Sequence, residues 1–325
     1  MPHRRSLLAL GALRPFAGLS RPALAQIAGD WRPERSLSMI VAFAAGGGTD
    51  IAARLIGRFM ERDLGQAIVV LNRPGAAGEL GFAELARARP DGYTIGFINT
   101  PHIATIPIER RARFALRDFA PIANIVDDPS GLWVMPNSPY RTLADLIEDA
   151  KRRPETIGYG TTGVGSDDHL AVLALERAAG IRMLHVPYSG GAPIRTSLAA
   201  GTIPVASTNL SDCINDWRQG SLRPLVQMGA TRWDRAPELP TARELGYDIV
   251  EGSMRGMAAP AGVPAPVLAR LALAVQRTVA HPDFKAQAAQ QNLPLRFLGP
   301  DAFADELNAL DTRSRALWSR HPWHE

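Results

Sequence analysis

The sequence FAAGGGTD, at residues 43–50, decides the fold. The apolar run at residues 37–43 leads into it and predicts a buried strand that ends in a glycine turn. The residues that follow show an amphipathic pattern, with Ile51, Leu55 and Phe59 on one helical face. A glycine loop between a strand and a helix presents free backbone N–H groups and the positive end of the helix dipole. Such a loop is a natural binding site for an anion.

Three glycines in this place also fit a plain tight turn, with Thr49 or Asp50 as the helix N-cap. Two nucleotide-binding motifs fit less well. A phosphate-binding P-loop needs Lys and then Ser or Thr after its last glycine, and Thr49 and Asp50 follow here. A dinucleotide fingerprint needs Gly-x-Gly-x-x-Gly, and Asp50 and Ile51 stand where its last glycine would be. The loop is therefore predicted to bind an anion or to serve as a turn, and it lacks both nucleotide-binding motifs.

Two further strand-and-loop units follow. Residues 67–71 predict a second strand, which ends in the glycine-rich sequence NRPGAAG at residues 72–78. Residues 93–98 predict a third strand, and a helix is expected between the two, over residues 79–88. This alternation predicts a parallel sheet with right-handed crossovers. Ligands of such sheets bind beyond the carboxyl ends of the strands, where all three loops lie.

The pattern weakens over residues 107–131, which the sequence predicts to be irregular. A second series of strands and helices then begins, and it contains a third glycine loop, GTTGVGS at residues 160–166. Helical patterns fill residues 265–320. We therefore expect a two-lobed α/β fold, each lobe a sheet flanked by helices, with two crossings between the lobes and a helical C-terminal tail that packs on the first lobe. The expected lobes are residues 30–133 plus 256–325, and residues 134–255.

The first 25 residues carry the features of an export signal. Arg4 and Arg5 precede an apolar centre, and the sequence Ala-Leu-Ala at residues 23–25 forms a cleavage site. The remainder of the chain has 32 basic and 32 acidic residues, so its charge offers no attraction for nucleic acid or an anionic membrane surface. No later stretch approaches the roughly 18 consecutive apolar residues of a membrane-spanning helix. We therefore expect a soluble protein that is exported to the periplasm.

Seven short motifs occur in a recognisable order along the chain. They are AGGGTD at 45–50, NRPGAAG at 72–78, PDGYT at 90–94, GVGS at 163–166 with HL at 169–170, HVPY at 185–188, LPT at 239–241 and APAGVP at 259–264. Together they resemble the motifs of the Bug-type solute-binding proteins, the extracytoplasmic receptors of tripartite tricarboxylate transporters. The resemblance covers roughly residues 35–310.

The resemblance implies a type II periplasmic-binding-protein fold whose two lobes close on a ligand. It also implies a small carboxylate as the ligand, held by backbone amides of the glycine loops and by bridging water rather than by an arginine. The implied partners are the subunits of a membrane transporter. We expect a monomer without enzymatic activity, cofactor or metal.

The candidate ligand-binding residues come from the glycine loops and from nearby strand ends. They are Ala45, Gly46, Gly47, Thr49, Asp50, Asn72, Gly75, Ala77, Gly78, Thr100, Gly163, Gly165, Ser166, His169, Tyr188, Gly190 and Asn209. Gly48 joins Gly46, Gly47 and Thr49 in the expected first anion grip. Gly163, Gly165 and Ser166 would form the opposing one. Asp50 would repel a bound anion, so we expect it to contact an amine or hydroxyl of the ligand. For the last three residues of the set, a packing role fits as well as a role in the wall.

Three positions depart from the family pattern. Ala44 stands where the family usually has proline, and Ser253 stands where tryptophan is common. The run that begins at Ser197 lacks the acidic residue that often precedes its leucine. These departures affect the wall of the second lobe, and thereby the identity of the ligand, but not the fold.

An exported α/β enzyme that acts on a carboxylate is the alternative. Ser166 and His169 are three residues apart in a helical pattern, beside Asp167 and Asp168, which suggests a Ser-His-Asp triad. The Gly-x-Ser-x-Gly elbow that presents such a serine is out of frame here. The enzyme predicts product formation that is lost in Ser166→Ala, whereas the receptor predicts a change in affinity alone.

Overall fold

The computed structural model describes residues 31–323. The predicted signal peptide, residues 1–25, lies outside the described residues. Across residues 31–323, no helix has both the length and the apolar character needed to cross a membrane.

Strands and helices alternate along most of the described chain. The strands are β1 Leu37–Val41, β2 Ile68–Asn72, β3 Thr94–Asn99, β4 Phe119–Val134, β5 Gly158–Thr161, β6 Leu184–Pro187, β7 Val205–Asn209, β8 Arg223–Gln227, β9 Gly252–Pro260 and β10 Leu295–Leu298. The α-helices are α1 Gly48–Leu64, α2 Glu79–Ala86, α3 His102–Glu109, α4 Leu143–Arg152, α5 Asp167–Ala179, α6 Gly191–Ala199, α7 Leu210–Arg218, α8 Ala265–Ala280, α9 Pro282–Gln290 and α10 Pro300–Arg320.

The first three strands form the parallel sheet that the sequence predicts. β1 lies between β2 and β3, with Leu37 beside Ile68 and Ile40 beside Gly96. Helix α1 connects β1 to β2, and α2 connects β2 to β3. Because the strands are parallel, the loops that follow them meet at one edge of the sheet, where a ligand of such a fold binds.

Two strands, β4 and β9, link this sheet to a second one. β9 pairs antiparallel with β3 and with β4 as far as Pro129, which lies beside Gly252. From Ser130 onward β4 pairs with β7 and β8 instead, and β7 leads through β5 to β6. The chain thus enters the second lobe along β4 and returns to the first at the start of β9. The boundaries of the lobes at residues 133/134 and 255/256 stay a prediction.

The expectation of irregular structure over residues 107–131 is wrong. The end of α3 occupies its start, and β4 fills its second half as part of one strand of 16 residues. Pro121 and Pro129 lie inside β4, although proline normally argues against an interior strand. The pairing with β9 shifts in register between Pro121 and Ala123, and such a bulge lets the strand continue past a proline.

Each lobe has its own apolar core, and burial of this surface stabilises the fold. In the first lobe, Ile56 of α1 and Leu271 of α8 pack in one cluster beneath the sheet. In the second lobe, α4 and α5 pack against β5 and β7. The C-terminal tail packs on the first lobe through Phe303 of α10, and it ends with Trp323 against Val164 of the second lobe.

Candidate functional site

The first glycine loop leaves α1 without a side-chain cap. The helix begins at Gly48, and its N-cap residue, Gly47, has an extended backbone and no side chain that could accept a hydrogen bond. Among residues 31–323, the Gly47, Gly48 and Thr49 amides donate no hydrogen bond. Such donors at a helix start are satisfied by caps, by water or by a ligand. This loop therefore has N–H groups to offer.

Asp50 holds the first loop together and is not part of a cavity wall. Its carboxylate accepts hydrogen bonds from the Gly46 amide at 3.0 Å, from Arg54 Nε at 3.0 Å and from Asn72 Nδ2 at 2.9 Å. Burial raises the pKa of Asp50, but these hydrogen bonds outweigh burial and lower it below its ordinary value. Asp50 and Asn72 thus meet each other, and both bind the loop.

A second glycine-capped helix faces the first. Helix α6 begins at Gly191, and its N-cap residue, Gly190, has a φ of 144°, which glycine adopts readily. Residues 47–49 and these two glycines line one small cavity between the lobes, of about 30 Å³ for the centres of water-sized spheres. Beside it the Ala44 amide donates to the Ser189 carbonyl at 3.4 Å. The lobes therefore touch beside the cavity.

The third glycine loop, residues 160–166, satisfies its own donors. The Gly163 amide donates to Thr161 Oγ1 at 3.1 Å, and the Gly165 amide donates to His169 Nδ1 at 3.1 Å. These N–H groups therefore already have partners within the loop and the helix that follows it.

Ser166 completes this arrangement as the N-cap of α5. Its hydroxyl oxygen accepts a hydrogen bond from the His169 amide at 3.0 Å. The loop also packs across to the first lobe, where Thr105 Oγ1 donates to the Gly165 carbonyl at 2.7 Å. The segment enters the cavity wall through Thr162 and Asp167 instead.

Four of the predicted ligand-binding residues lie in the cavity wall. They are Gly47, Thr49, Gly190 and Asn209. The predicted residues outside the wall are Ala45, Gly46, Asp50, Asn72, Gly75, Ala77, Gly78, Thr100, Gly163, Gly165, Ser166, His169 and Tyr188. The Thr100 hydroxyl, for example, accepts a hydrogen bond from the Met254 amide at 2.8 Å, and Tyr188 packs beside apolar residues of the second lobe.

Ser166 and His169 do not form a catalytic pair. The Ser166 hydroxyl is bonded to the backbone of His169, while the His169 ring stacks on His185 with the ring centroids 4.0 Å apart. Burial, and then the neighbouring His185, lower the pKa of His169 to about 3. Asp168 accepts from the Thr162 hydroxyl at 2.7 Å. Without a hydrogen bond between hydroxyl and ring, these side chains lack the geometry of an activated nucleophile.

Asn99 and His102 lie in the wall, and sequence reasoning missed both. Asn99 Nδ2 donates to Thr49 Oγ1 at 2.7 Å, while Asn99 Oδ1 is buried and unpaired. Both ring nitrogens of His102 are buried without a hydrogen bond of normal geometry. Burial lowers the pKa of His102 to about 4, despite the opposing effect of the Thr162 backbone. The signal for both was their place at the carboxyl end of the third strand.

Arg255 of β9 is a further wall residue that the sequence reasoning missed. It is only 2% exposed, and its Nη2 lies 3.0 Å from Asp128 Oδ2 and 2.9 Å from Asn209 Oδ1. Asp212 lies 3.8 Å from the same nitrogen. Burial lowers the pKa of Arg255, but Asp128 and then Asp212 more than compensate and raise it. One charged residue inside an apolar strand was the available signal, since a buried charge needs partners.

Aspartates surround this guanidinium. Asp167 accepts hydrogen bonds from Ser130 Oγ at 2.8 Å and from Asn209 Nδ2 at 2.7 Å. Burial raises the pKa of Asp128 to about 7, and it also raises the pKa of Asp167. Together with Asp212, these residues give the cavity surroundings more acidic groups than basic ones.

Gly48 and Gly191 leave no room for a side chain. A Cβ atom on Gly48 would lie 2.1 Å from Arg255 Nη1 and 2.4 Å from Asp212 Oδ1. A Cβ atom on Gly191 would lie 2.7 Å from Asp212 Oδ2. Contacts below 3 Å require a shift of the neighbouring atoms, so both helix starts depend on glycine.

Known proteins are similar to this chain in sequence and in fold. The model of the tripartite tricarboxylate transporter family receptor, TctC, matches residues 52–296. The chain belongs to this family. It is 29% identical over 271 residues to the protein BugT of Bordetella pertussis, over 82% of this chain and 82% of BugT.

Solved structures agree with the family match. The periplasmic binding protein BugD matches with a TM-score of 0.83 and 29% identity, over 89% of this chain and 98% of that one. A Rhodopseudomonas palustris structure with adipate matches with a TM-score of 0.85 and 28% identity, over 90% and 99% of the two chains. These matches confirm the resemblance to Bug-type proteins and the two-lobed periplasmic-binding-protein fold. As a TctC family member, the protein is a solute-binding receptor for carboxylates, which is not an enzyme class.

Proposed function

We propose that this TctC family receptor is exported and captures a small carboxylate between its lobes, through the backbone amides of two glycine-capped helices. It then delivers the ligand to the subunits of a membrane transporter. The observation that carries this proposal is that α1 and α6 begin at one cavity and neither has a side-chain cap. The adipate in the related structure is a carboxylate of the kind that such donors bind.

The proposed grip uses the electrostatics of helix ends. The N-terminus of a helix carries the equivalent of about half a positive charge, and a partly buried anion there gains up to about 2 kcal/mol. Gly47, Gly48 and Thr49 supply amides from the first lobe, and Gly190 and Gly191 face them from the second. Asp50 and Asn72 contribute indirectly, because their hydrogen bonds hold the first loop in place. We propose a monomer, because one chain supplies both helix ends.

Capture requires the lobes to open. The cavity, at about 30 Å³, has room for about two waters, each of which needs roughly 10–15 Å³ by this measure. A dicarboxylate does not fit this volume. The lobes therefore separate about the crossings at β4 and the start of β9, and they close again on the ligand.

A ligand panel tests the proposed function. Di- and tricarboxylates, aromatic acids and amino acids are compared with the amides of the same acids by thermal unfolding and calorimetry. An acid at about 100 times its Kd should stabilise the protein by about 2.7 kcal/mol, and its amide should not. Amides that stabilise as well as their acids would contradict the anion grip. Conversion of a bound acid to product would contradict the receptor assignment.

A further inference from the structure

We propose that the ligand carries an ammonium group next to its carboxylate, as a 2-amino acid does, and that Asp167 and Asp212 bind this ammonium. The inference rests on the proposed function, since the two glycine-capped helices are taken to hold the carboxylate. Three features of the cavity wall support it: the balance of charge, the unpaired acceptors and the position of Asp212.

By formal charge, acidic groups outnumber basic groups in and around the wall. Within residues 31–323, Arg255 is the only cationic side chain that lines the cavity. Asp128 neutralises Arg255, because the two groups lie 3.0 Å apart and both side chains are buried. Asp167 and Asp212 then remain in the wall, Asp212 at 3.8 Å from the same guanidinium. A second carboxylate on the ligand would be repelled by them, whereas a cation would pair with them.

Unpaired acceptors point to the same ligand group. Asn99 is 5% exposed, and its Oδ1 has no hydrogen-bond partner because only its Nδ2 is engaged, by Thr49. His102 is 2% exposed, and neither ring nitrogen has a hydrogen bond of normal geometry, although the Thr162 backbone lies near the ring. A neutral imidazole offers one acceptor, and an ammonium offers three donors and no acceptor. An ammonium is therefore the complement of these free side-chain acceptors, while the free amides of the helix starts are left to the carboxylate.

The position of Asp212 places the ammonium beside the carboxylate. Asp212 Oδ1 adjoins Gly48, and Asp212 Oδ2 adjoins Gly191, each within 3 Å of where a Cβ atom would lie. These glycines begin the two helices that hold the ligand carboxylate. An ammonium that pairs with Asp212 must therefore be attached next to that carboxylate. A 2-amino acid meets this condition, and an acid with its ammonium at the far end of the chain does not.

Calorimetry with matched pairs of ligands tests the inference. L-Alanine is compared with L-lactate, and L-aspartate with L-malate, because the members of each pair differ only in an ammonium or a hydroxyl group. The amino member should bind at least about tenfold more tightly, as expected for one charge-assisted interaction in a desolvated site. 4-Aminobutyrate, whose ammonium is remote, should bind more weakly than either amino acid.

Two variants assign the preference to its residues. Asp212→Asn and Asp167→Asn keep the side-chain shape and remove the charge, so the preference for the amino member should fall to about threefold or less. Asp305→Asn makes the same change on the exposed face of α10 and should leave the preference unchanged. Thermal unfolding shows whether each variant is folded. If Asp167→Asn does not fold, Asp212→Asn and the wild-type pairs still decide the question.

The outcomes separate this inference from the proposed function. Hydroxy acids that bind as tightly as their amino partners would overturn the inference and leave the carboxylate receptor intact. An amino preference that persists in Asp212→Asn would overturn the assignment to Asp212. If no acid of either kind binds, the proposed function fails, and the inference fails with it.

Discussion

The first and third glycine loops occupy similar places in the fold, but only the first leaves the helix that follows it without a side-chain cap. Both follow a parallel strand and lead into a helix, α1 in one case and α5 in the other. In the first loop the N-cap is Gly47, and the amides of the helix start stay unpaired among the described residues. In the third loop Ser166 caps the helix. The side chains of Thr161 and His169 accept hydrogen bonds from the two glycine amides of that loop.

The difference shows that glycine alone does not make an anion site. Glycine lets the backbone approach a ligand, but any nearby hydroxyl or imidazole takes the N–H groups first. The first loop has no such acceptor at its N-cap, and Asp50, which could have served, bonds backward to Gly46. In the proposed function the opposing grip is therefore at Gly190 and Gly191, where the N-cap again has no side chain.

The largest expected effect comes from Gly48→Ala in the first loop. The new Cβ atom would lie 2.1 Å from Arg255 Nη1 and 2.4 Å from Asp212 Oδ1, so the helix start or these two wall side chains must shift. We expect affinity for the tightest acid of the panel to fall at least about 100-fold, or about 2.7 kcal/mol. Calorimetry measures this loss.

A second glycine of α1 provides the control for Gly48→Ala. A Cβ atom on Gly57 would meet Ile68 at 3.6 Å, an ordinary contact, so Gly57→Ala should bind the acid like the wild type. Equal affinity in Gly48→Ala and Gly57→Ala would show that the first loop does not hold the ligand.

The third loop should respond in stability and not in binding. Gly165 has a φ of 71°, and a Cβ atom there would lie 2.9 Å from Trp323 Nε1. We expect Gly165→Ala to lower the free energy of unfolding by about 1–3 kcal/mol, because a residue with a side chain is strained in this conformation. Denaturant unfolding measures this change. The affinity should stay within about threefold of wild type, and a loss as large as that of Gly48→Ala would erase the distinction between the loops.

The sequence predicted what depends on local pattern. Apolar runs and glycine turns gave the parallel sheet of β1, β2 and β3, and the order of motifs gave the two-lobed fold. β4 was missed because Pro121 and Pro129 obscure its pattern, and only the register of the neighbouring strand shows how the prolines are accommodated.

The cavity wall was less predictable, because it depends on contacts between distant parts of the chain. Arg255 and Asp128 are far apart in sequence and meet only because β4 and β9 pair. The hydrogen bonds that occupy the third loop come from side chains whose direction the sequence does not give. Residue type therefore predicted a loop that could bind an anion, but not which loop has free amides.

The most direct test gives the first loop the cap that the third loop has. Gly47 has φ −82° and ψ 166°, and a Cβ atom there would have no neighbour closer than 3.6 Å, so Gly47→Ser should fold without strain. The hydroxyl should cap α1 and raise the free energy of unfolding by a few tenths of a kcal/mol. Gly299→Ser, at the uncapped start of α10 where a Cβ atom meets nothing within 4 Å, serves as the control.

Calorimetry on Gly47→Ser then shows whether the cap and the ligand compete for the same amides. If the free amides of α1 hold the carboxylate, the variant should be more stable than the wild type and should bind the acid at least about tenfold more weakly. Gly299→Ser should gain stability and keep its affinity. A Gly47→Ser protein that is stabilised and binds the acid as tightly as the wild type would show that the amides of α1 do not hold the carboxylate.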